Sequence, residues 1–473
     1  MKKSIVFTWI ISSMIAFNGV AQGDLEKKVD KVYARYNSNT PGAAVIVVKE
    51  GKVVFKKGYG TANIEHGIPI TSSTVFQLAS VSKQFTAFSI YLLQKQGKIS
   101  LEDDIRKYFP EMKDYGKTIK IKYLLAHTSG IRDEAATFAL AGWREEDVAT
   151  TEFILRTTFR QKELNFEPGT AFGYCNTGYT LLAEIIKRVT GKSLREYAQE
   201  NIFGPLGMNS TQINDDFHRI VKNKADSYEK DNGVYQRCEF VNANQGPSNI
   251  YTTVEDLAKW IDNFYNPKSG DAQVIAEFNK ASLLDNGQPV VFAIFDGSDT
   301  AYHAKGQLRR RYNGMDVFSH GGHSAGYRST MWRFPQKKHA VITLSNDEHN
   351  QTLADVEAIF GIFFPDEMKQ GPIPTASKPA IPALPAFTNN LAEFNGYYYS
   401  DEMETGYTVK MEGGKLIMTH TRVPDITLTQ VGENKFTGVN TFAFELEFVR
   451  NGKEVIGYKI SNFGAKNVKF NKR

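Results

Sequence analysis

Phe76-Gln77-Leu78-Ala79-Ser80-Val81-Ser82-Lys83-Gln84-Phe85-Thr86-Ala87-Phe88 is the stretch on which the fold turns. Thr74 to Leu78 read as a short strand. From Ser80 the apolar residues Val81, Phe85, Phe88 and Leu92 recur at helical spacing, which predicts a helix over Ser80 to Gln96. A serine then stands at a helix N-terminus with a lysine one turn along. That spacing brings an amine over a hydroxyl, and the free amides and dipole at the helix start favour negative charge on oxygen. A serine needs such help to attack anything, and apolar walls around a lysine can lower its pKa, leaving a neutral amine free to accept the proton.

Outward from this stretch the pattern is α+β. Asp24 to Tyr36 reads as an amphipathic helix, and Ala43 to Val48 with Lys52 to Lys56 as a hairpin turned at Glu50-Gly51. Helical patterns fill the middle at Thr177 to Val189, Ser193 to Asn201 and Thr253 to Phe264, the last opened by a Thr253-to-Asp256 capping arrangement. Strand signals return at Pro289 to Phe295, Arg328 to Phe334 and Ala340 to Ser345, before a helix from about Leu353 to Phe364. One antiparallel sheet built from both ends of a segment, beside a helical middle, accounts for this order.

Five of the sixteen prolines fall between Lys369 and Ala386, which reads as a linker. Beyond it, Tyr407 to Met411 and Lys415 to Thr419 flank Glu412-Gly413-Gly414. Phe442, Phe444, Leu446 and Phe448 alternate up to an Asn451-Gly452 turn, and Val455 to Ile460 follow. Period-two apolarity across Asn-Gly signals a hairpin, so residues 387–473 are expected as a small antiparallel barrel or sandwich, with Tyr397-Tyr398-Tyr399 and the phenylalanines as core and sheet face. The expected division is a leader at 1–21, a first domain at 22–368, the linker at 369–386 and the β domain at 387–473.

The leader rests on Lys2 and Lys3 ahead of an apolar run from Ile5 to Phe17, with Gly19 and Ala21 before Gln22: a secretory signal cleaved after Ala21. Secretion to a bacterial periplasm, with no stable membrane span after cleavage, is the expectation. The 473 residues are 41% hydrophobic and 23% charged, enough for two or three cored domains. Without Lys2 and Lys3 the charge balance is 55 basic against 52 acidic residues, which gives no reason to expect a nucleic-acid partner. Cys175 and Cys238 form at most one bridge and lack metal-pair spacing.

Three further features bear on chemistry. Tyr174-Cys175-Asn176 follows the turn Glu167-Pro168-Gly169 and precedes a helix; a tyrosine hydroxyl can relay a proton, and an asparagine can bond both lysine and a substrate carbonyl. His320-Gly321-Gly322-His323 stands before a strand-like run, where glycines admit a ligand close to the backbone and an amide can serve as an oxyanion donor. Its two histidines, without a carboxylate or cysteine cluster, do not make a metal site. Ser227-Tyr228-Glu229-Lys230 also matches Ser-x-x-Lys, and reads as a decoy on a solvated loop. His66, His218, His303, His339, His349 and His420 read as ordinary surface or core residues, and Arg309-Arg310-Arg311 as a solvated face that could lend a positive edge to an anionic substrate.

The ordered set Ser-x-x-Lys, Tyr-x-Asn and Lys/His-x-Gly resembles the serine β-lactamase and penicillin-binding-protein superfamily, in its class C related branch. Leu124-Leu125-Ala126-His127-Thr128-Ser129-Gly130, Gly204-Pro205-Leu206-Gly207-Met208 and Gly322-His323-Ser324-Ala325-Gly326-Tyr327 extend the likeness over about residues 25 to 365. The resemblance implies an α/β sandwich of antiparallel sheet plus helical region, followed by a small lipocalin-like all-β barrel. It implies Ser80 as acylated nucleophile, Lys83 and Tyr174 sharing proton transfer, and Asn176 holding Lys83 and substrate. The amides of Ser80 and His323 would form the oxyanion hole, with His320 and Gly322 beside the substrate, and Cys175 would be packing. No metal or organic cofactor is implied.

β-Lactamases of this branch carry lysine where this chain has His320, and a neutral imidazole is the poorer partner for a substrate carboxylate. Small amides, esters and peptides of D-amino-acid or peptidoglycan type are therefore the expected substrates, with pocket walls drawn from loops such as Asp133 to Lys162. A true β-lactamase, a slow penicillin-binding sensor of the envelope that captures peptidoglycan fragments, and a structural envelope protein with a glycan-binding barrel are the alternatives. The sequence leaves the oligomeric state open.

Overall fold

The computed structural model describes residues 23–144, 147–238, 240, 243–296, 299–368 and 390–473. The expected leader and the proline-rich linker lie outside the described residues. Ala43 to Val48, every residue of it buried, sets the layering. Successive strand residues face opposite sides. Ala43, Val45 and Val47 pack with Val29, Trp332, Ile359 and Phe360, while Ala44, Ile46 and Val48 join the larger core that holds Phe85, Leu93 and Trp260. The sheet therefore lies between a thin layer, helices 23–32 and Thr352–Phe363, and a thick helical region.

That sheet has eight antiparallel strands in the order Val291–Asp296, Asp299–His303, Leu308–Tyr312, Met315–Ser324, Tyr327–Phe334, His339–Ser345, Ala43–Lys49, Lys52–Tyr59. The first hairpin turns at Glu50 and Gly51, both with positive φ (51° and 77°) as such a turn requires. The middle three of the strands between 291 and 334 escape sequence reading, because their positions are filled by polar and charged residues rather than alternating apolar ones. The arginine run is one of these strands. Arg310 lies over the Tyr312 and Trp332 rings, and Arg309 and Arg311 both reach Asp316 at 3.2 and 3.8 Å, so these charges are engaged within the sheet.

Ser80 to Gln96 divides into a 3-10 turn, Ala79–Ser82, and an α-helix, Lys83–Lys95, which is buried from Lys83 to Leu93 on all sides. Several of its polar atoms are matched inside: Trp260 Nε1 donates to Gln84 Oε1 (3.3 Å), Thr86 Oγ1 to the Gly246 carbonyl (2.8 Å) and Ser89 Oγ to that of Phe85 (2.8 Å). The helices Asn176–Thr190 and Val254–Asn263 pack around it, the latter capped by Thr253 as its sequence predicts. The helix expected over Ser193 to Asn201 keeps α geometry only across Leu194–Ala198 before a π turn, Gln199–Phe203. The expected loop from Asp133 to Lys162 carries two helices, Glu134–Leu140 and Thr151–Phe159. Ser227 is buried rather than on a solvated loop; its hydroxyl donates to the Cys238 carbonyl, and Tyr228–Asp231 is a strand paired with Val234–Arg237.

The C-terminal region is a closed antiparallel barrel of eight strands from Gly396–Ser400 to Val468–Lys472. Its inward residues include Tyr398, Tyr407, Phe444, Leu446, Phe448, Tyr458 and Phe470. Phe448 stacks on Phe394 at 4.3 Å and Tyr458 on Phe470 at 4.9 Å, so the interior is filled by rings. The α+β sandwich followed by a small all-β barrel is thus the observed architecture.

Candidate active site

The strand Phe76–Gln77 must turn sharply into a helix, and Ala79 takes the left-handed conformation (φ 47°) that makes the turn. A non-glycine residue there costs on the order of 1 kcal/mol. The turn leaves Ser80 half-buried, with Lys83 completely buried at the first residue of the helix. Lys83 Nζ lies 3.2 Å from Ser80 Oγ, 2.8 Å from Asn176 Oδ1 and 3.0 Å from the Pro247 carbonyl. A buried amine is tolerated when its hydrogen-bonding capacity is met, and these three oxygens meet it. Tyr174 OH lies 2.9 Å from Ser80 Oγ, and Lys83 Nζ sits 4.9 Å from the centre of the Tyr174 ring. Ser80, Lys83, Tyr174 and Asn176, over ninety residues apart in part, are therefore one hydrogen-bonded group.

His320 to His323 lies within a strand, Met315–Ser324, not ahead of one. Pairing with Leu308–Tyr312 ends at Ser319, whereas pairing with Tyr327–Phe334 continues through Ser324. The free edge from His320 onward meets the Ser80 turn. Gly322 has to be glycine, because a Cβ there would stand 2.3 Å from the Leu78 carbonyl oxygen and 3.0 Å from Ala79 Cβ. Ser329 Oγ fixes the same carbonyl at 2.8 Å. This brings the backbone of residues 322–323 against the serine turn, where two amides can serve one oxyanion. His320 and His323, three apart on a strand, fall on opposite faces: His320 is buried and His323 exposed. Among the described residues no three His, Cys, Asp or Glu side chains are placed to hold a metal ion.

Burial, with the nearby Lys83 charge second, pushes the His320 imidazole down to about 4, so it is neutral at physiological pH. His320 Nδ1 is 2.6 Å from the Gly321 carbonyl, and its Nε2 has no protein partner. Two more histidines join it. His127 and His303 are both buried, with rings 4.9 Å apart, and His127 stacks on the Tyr174 ring at 4.4 Å. Burial and then the His320 charge lower His303 to about 3, and burial and then His303 hold His127 well below its usual range. The Cys175 amide donates to His127 Nδ1 (3.0 Å), so the proton sits on Nε2. His303 is thus part of the site's surroundings rather than an ordinary core residue.

Sequence reading also missed Asp133. Completely buried, it accepts hydrogen bonds at Oδ2 from the Asn176 amide (2.6 Å) and at Oδ1 from the Ala136 amide (3.1 Å). Its only signal is an N-cap residue three ahead of Ala136, which points to a helix start and not to a site. Cys175 is buried and unbridged, as is Cys238 in its half-buried position, and burial raises both thiols.

A family model described as Beta-lactamase matches residues 25–361. Protein flp of Staphylococcus aureus (strain N315) is 28% identical over 334 residues, 68% of this chain and 63% of that protein. The match thus spans less than two thirds of the length of such curated relatives. Among solved structures, the octameric penicillin-binding protein homologue from Pyrococcus abyssi superposes with a TM-score of 0.64 at 23% identity, covering 95% of this chain and 99% of that one. D-amino acid amidase from Ochrobactrum anthropi, solved with L-phenylalanine amide, gives 0.58 at 22% identity over 72% and 99%. Likeness at that level of identity speaks for the fold.

Proposed function

The chain belongs to the beta-lactamase family, whose members are serine hydrolases, and from that premise we propose that it is a secreted serine hydrolase working through an acyl-enzyme on Ser80. The observation that carries the proposal is Ser80 Oγ held between Lys83 Nζ at 3.2 Å and Tyr174 OH at 2.9 Å. Ser80 Oγ attacks the substrate carbonyl while its proton passes to the Lys83–Tyr174 pair. The amides of Ser80 and His323 take the oxyanion. Tyr174 returns the proton to the departing amine or alcohol, and water then reverses the sequence to release the acid. Asn176 keeps Lys83 aimed and offers its amide to the substrate.

The preferred substrates are small amides, esters and peptides of D-amino-acid or peptidoglycan type. Support comes from His320, a neutral imidazole where the family's β-lactamases carry a lysine: its Nδ1 proton is taken by the Gly321 carbonyl, so its free Nε2 offers a substrate carboxylate neither charge nor proton. Secretion rests on the leader at 1–21; among the described residues no helix is long and apolar enough to cross a membrane.

The test is a turnover panel of D- and L-phenylalanine amide, a p-nitrophenyl ester and a chromogenic cephalosporin, on wild type and Ser80→Ala. Hydrolysis of an amide or ester, absent in the variant and faster than cephalosporin turnover, is expected. Undiminished hydrolysis in Ser80→Ala would refute the proposal.

A further inference from the structure

The barrel does not stand apart from the site. The helix Glu134–Leu140 of the first domain stoppers one end of it: Ala136 and Leu140 belong to the barrel's apolar core, and Tyr407 OH and Asn440 Nδ2 donate to the carbonyls of Leu140 (3.1 Å) and Ala139 (2.7 Å). The barrel loop at 462–467 grips the residues just before that helix. The Gly464 carbonyl accepts from the Asp133 amide (2.9 Å) and from Asn165 Nδ2 (2.9 Å), and the Lys466 amide donates to Asn165 Oδ1 (2.8 Å). Asn462 Nδ2 donates to the Ala136 carbonyl (2.9 Å), and its Oδ1 holds the loop by accepting from the Ala465 amide (2.9 Å). Arg132 forms an ion pair with Glu402 of the barrel, both side chains being buried, and donates to the Lys466 carbonyl (2.8 Å).

Gly464 lies so close that a Cβ there would be 2.7 Å from Asp133 Cβ and 2.9 Å from Ala136 Cβ. Asp133 in turn holds the Asn176 amide at 2.6 Å, and Asn176 Oδ1 holds Lys83 Nζ at 2.8 Å. Three contacts therefore run unbroken from Gly464 of the barrel loop to the lysine beside Ser80.

We propose that Asp133 is a positioning residue for Asn176, and through it for Lys83, and that the barrel loop at 462–467 sets its place, so that the barrel is a working part of the active site. The consequence for catalysis rests on the Ser80 reading above; the positional link does not. Asp133 uses both carboxylate oxygens on main-chain amides at two helix starts, and only an acceptor with two free oxygens can satisfy both. A misplacement of about an ångström at such a group costs up to ~10²-fold in rate.

The test uses full-length Gly464→Ala, Asp133→Asn and Asp133→Ala. Asp133→Asn keeps the shape but turns one acceptor into a donor aimed at an amide. Two readouts are taken: the rate of Ser80 labelling by a fluorophosphonate, beside the thermal transition, and the Lys83 Nζ to Asn176 Oδ1 separation in crystal structures. Expected are labelling slowed roughly tenfold or more in Gly464→Ala and Asp133→Asn, with both variants folded, and a separation opened past hydrogen-bonding distance in Gly464→Ala. If all variants label within about twofold of wild type, or Asp133→Asn restores what Asp133→Ala loses, Asp133 is structural filling and the proposal falls. The crystallographic readout keeps the two readings apart: were wild type never labelled, the Ser80 reading would fail, and an unchanged separation in Gly464→Ala would separately overturn the positional link.

Discussion

The two interiors of this chain are built on opposite rules. The surroundings of Ser80 bury a lysine, an aspartate and three histidines, and leave Nε2 of His127, His303 and His320 without protein partners. The barrel interior is a stack of rings in which, among the described residues, the Tyr458 hydroxyl is the one such orphan. An unmet buried polar atom costs on the order of 1–3 kcal/mol. A protein concentrates that cost where the groups are needed for chemistry and builds stability elsewhere. Substitutions in the two places should therefore separate activity from stability.

Lys83→Met sharpens the contrast most. Acylation of Ser80 should drop by roughly 10²–10⁴-fold, the scale of positioned acid–base groups, while thermal stability holds or rises because a buried polar amine is exchanged for a matching apolar chain. A large fall in stability with activity preserved would invert the comparison. Phe448→Ala is its mirror: this barrel residue is 3% exposed, and its loss should cost about 3–5 kcal/mol in denaturant unfolding with turnover of the folded fraction little changed.

Acid gives a smaller effect with a fixed sign. The three site histidines titrate in the folded chain at about 3 for His303, about 4 for His320 and well below the usual range for His127. Once unfolded they return to about 6.5. From pH 6.5 downward each of these imidazoles binds more protons in the unfolded chain than in the folded one, so its contribution to stability is full above pH 6.5 and falls as the pH falls. At pH 5.5 the loss is about 1.4 kcal/mol per histidine. Burial pushes the Glu134 carboxyl up to about 8, which acts in the opposite sense over this window, so urea midpoints at pH 7.5 and 5.5 are compared between wild type and His303→Phe; an equal pH response in the two chains would mean that this imidazole is not buried neutral. The smallest effect is one of preference: His320→Lys should raise kcat/KM for a carboxylate-bearing substrate over its neutral analogue about tenfold, and no change in that ratio would remove His320 from the substrate face.

Much of this was legible in the sequence because local rules carried it. Ser80 and Lys83 are one turn apart, Asn451-Gly452 makes a hairpin, and Thr253 caps its helix. The rest depends on contacts made across the chain. Met315–Ser324 is a strand because neighbouring strands pair with it, though His320-Gly321-Gly322-His323 has little strand character. Asp133 looks like an ordinary cap until Asn176 and Gly464 close on it. His127 is drawn to the site by the left-handed turn (φ 58°) that ends the helix Ile121–Ala126, a conformation its residue type does not announce.

The central claim is that Ser80, set between Lys83 and Tyr174, is a working nucleophile. Intact-mass analysis of wild type and Ser80→Ala after exposure to a fluorophosphonate, with the adduct located by peptide mapping, tests it most directly. The account predicts one adduct on Ser80 in wild type and none in the variant. An unmodified wild-type chain, or an equal adduct on Ser80→Ala, would contradict it.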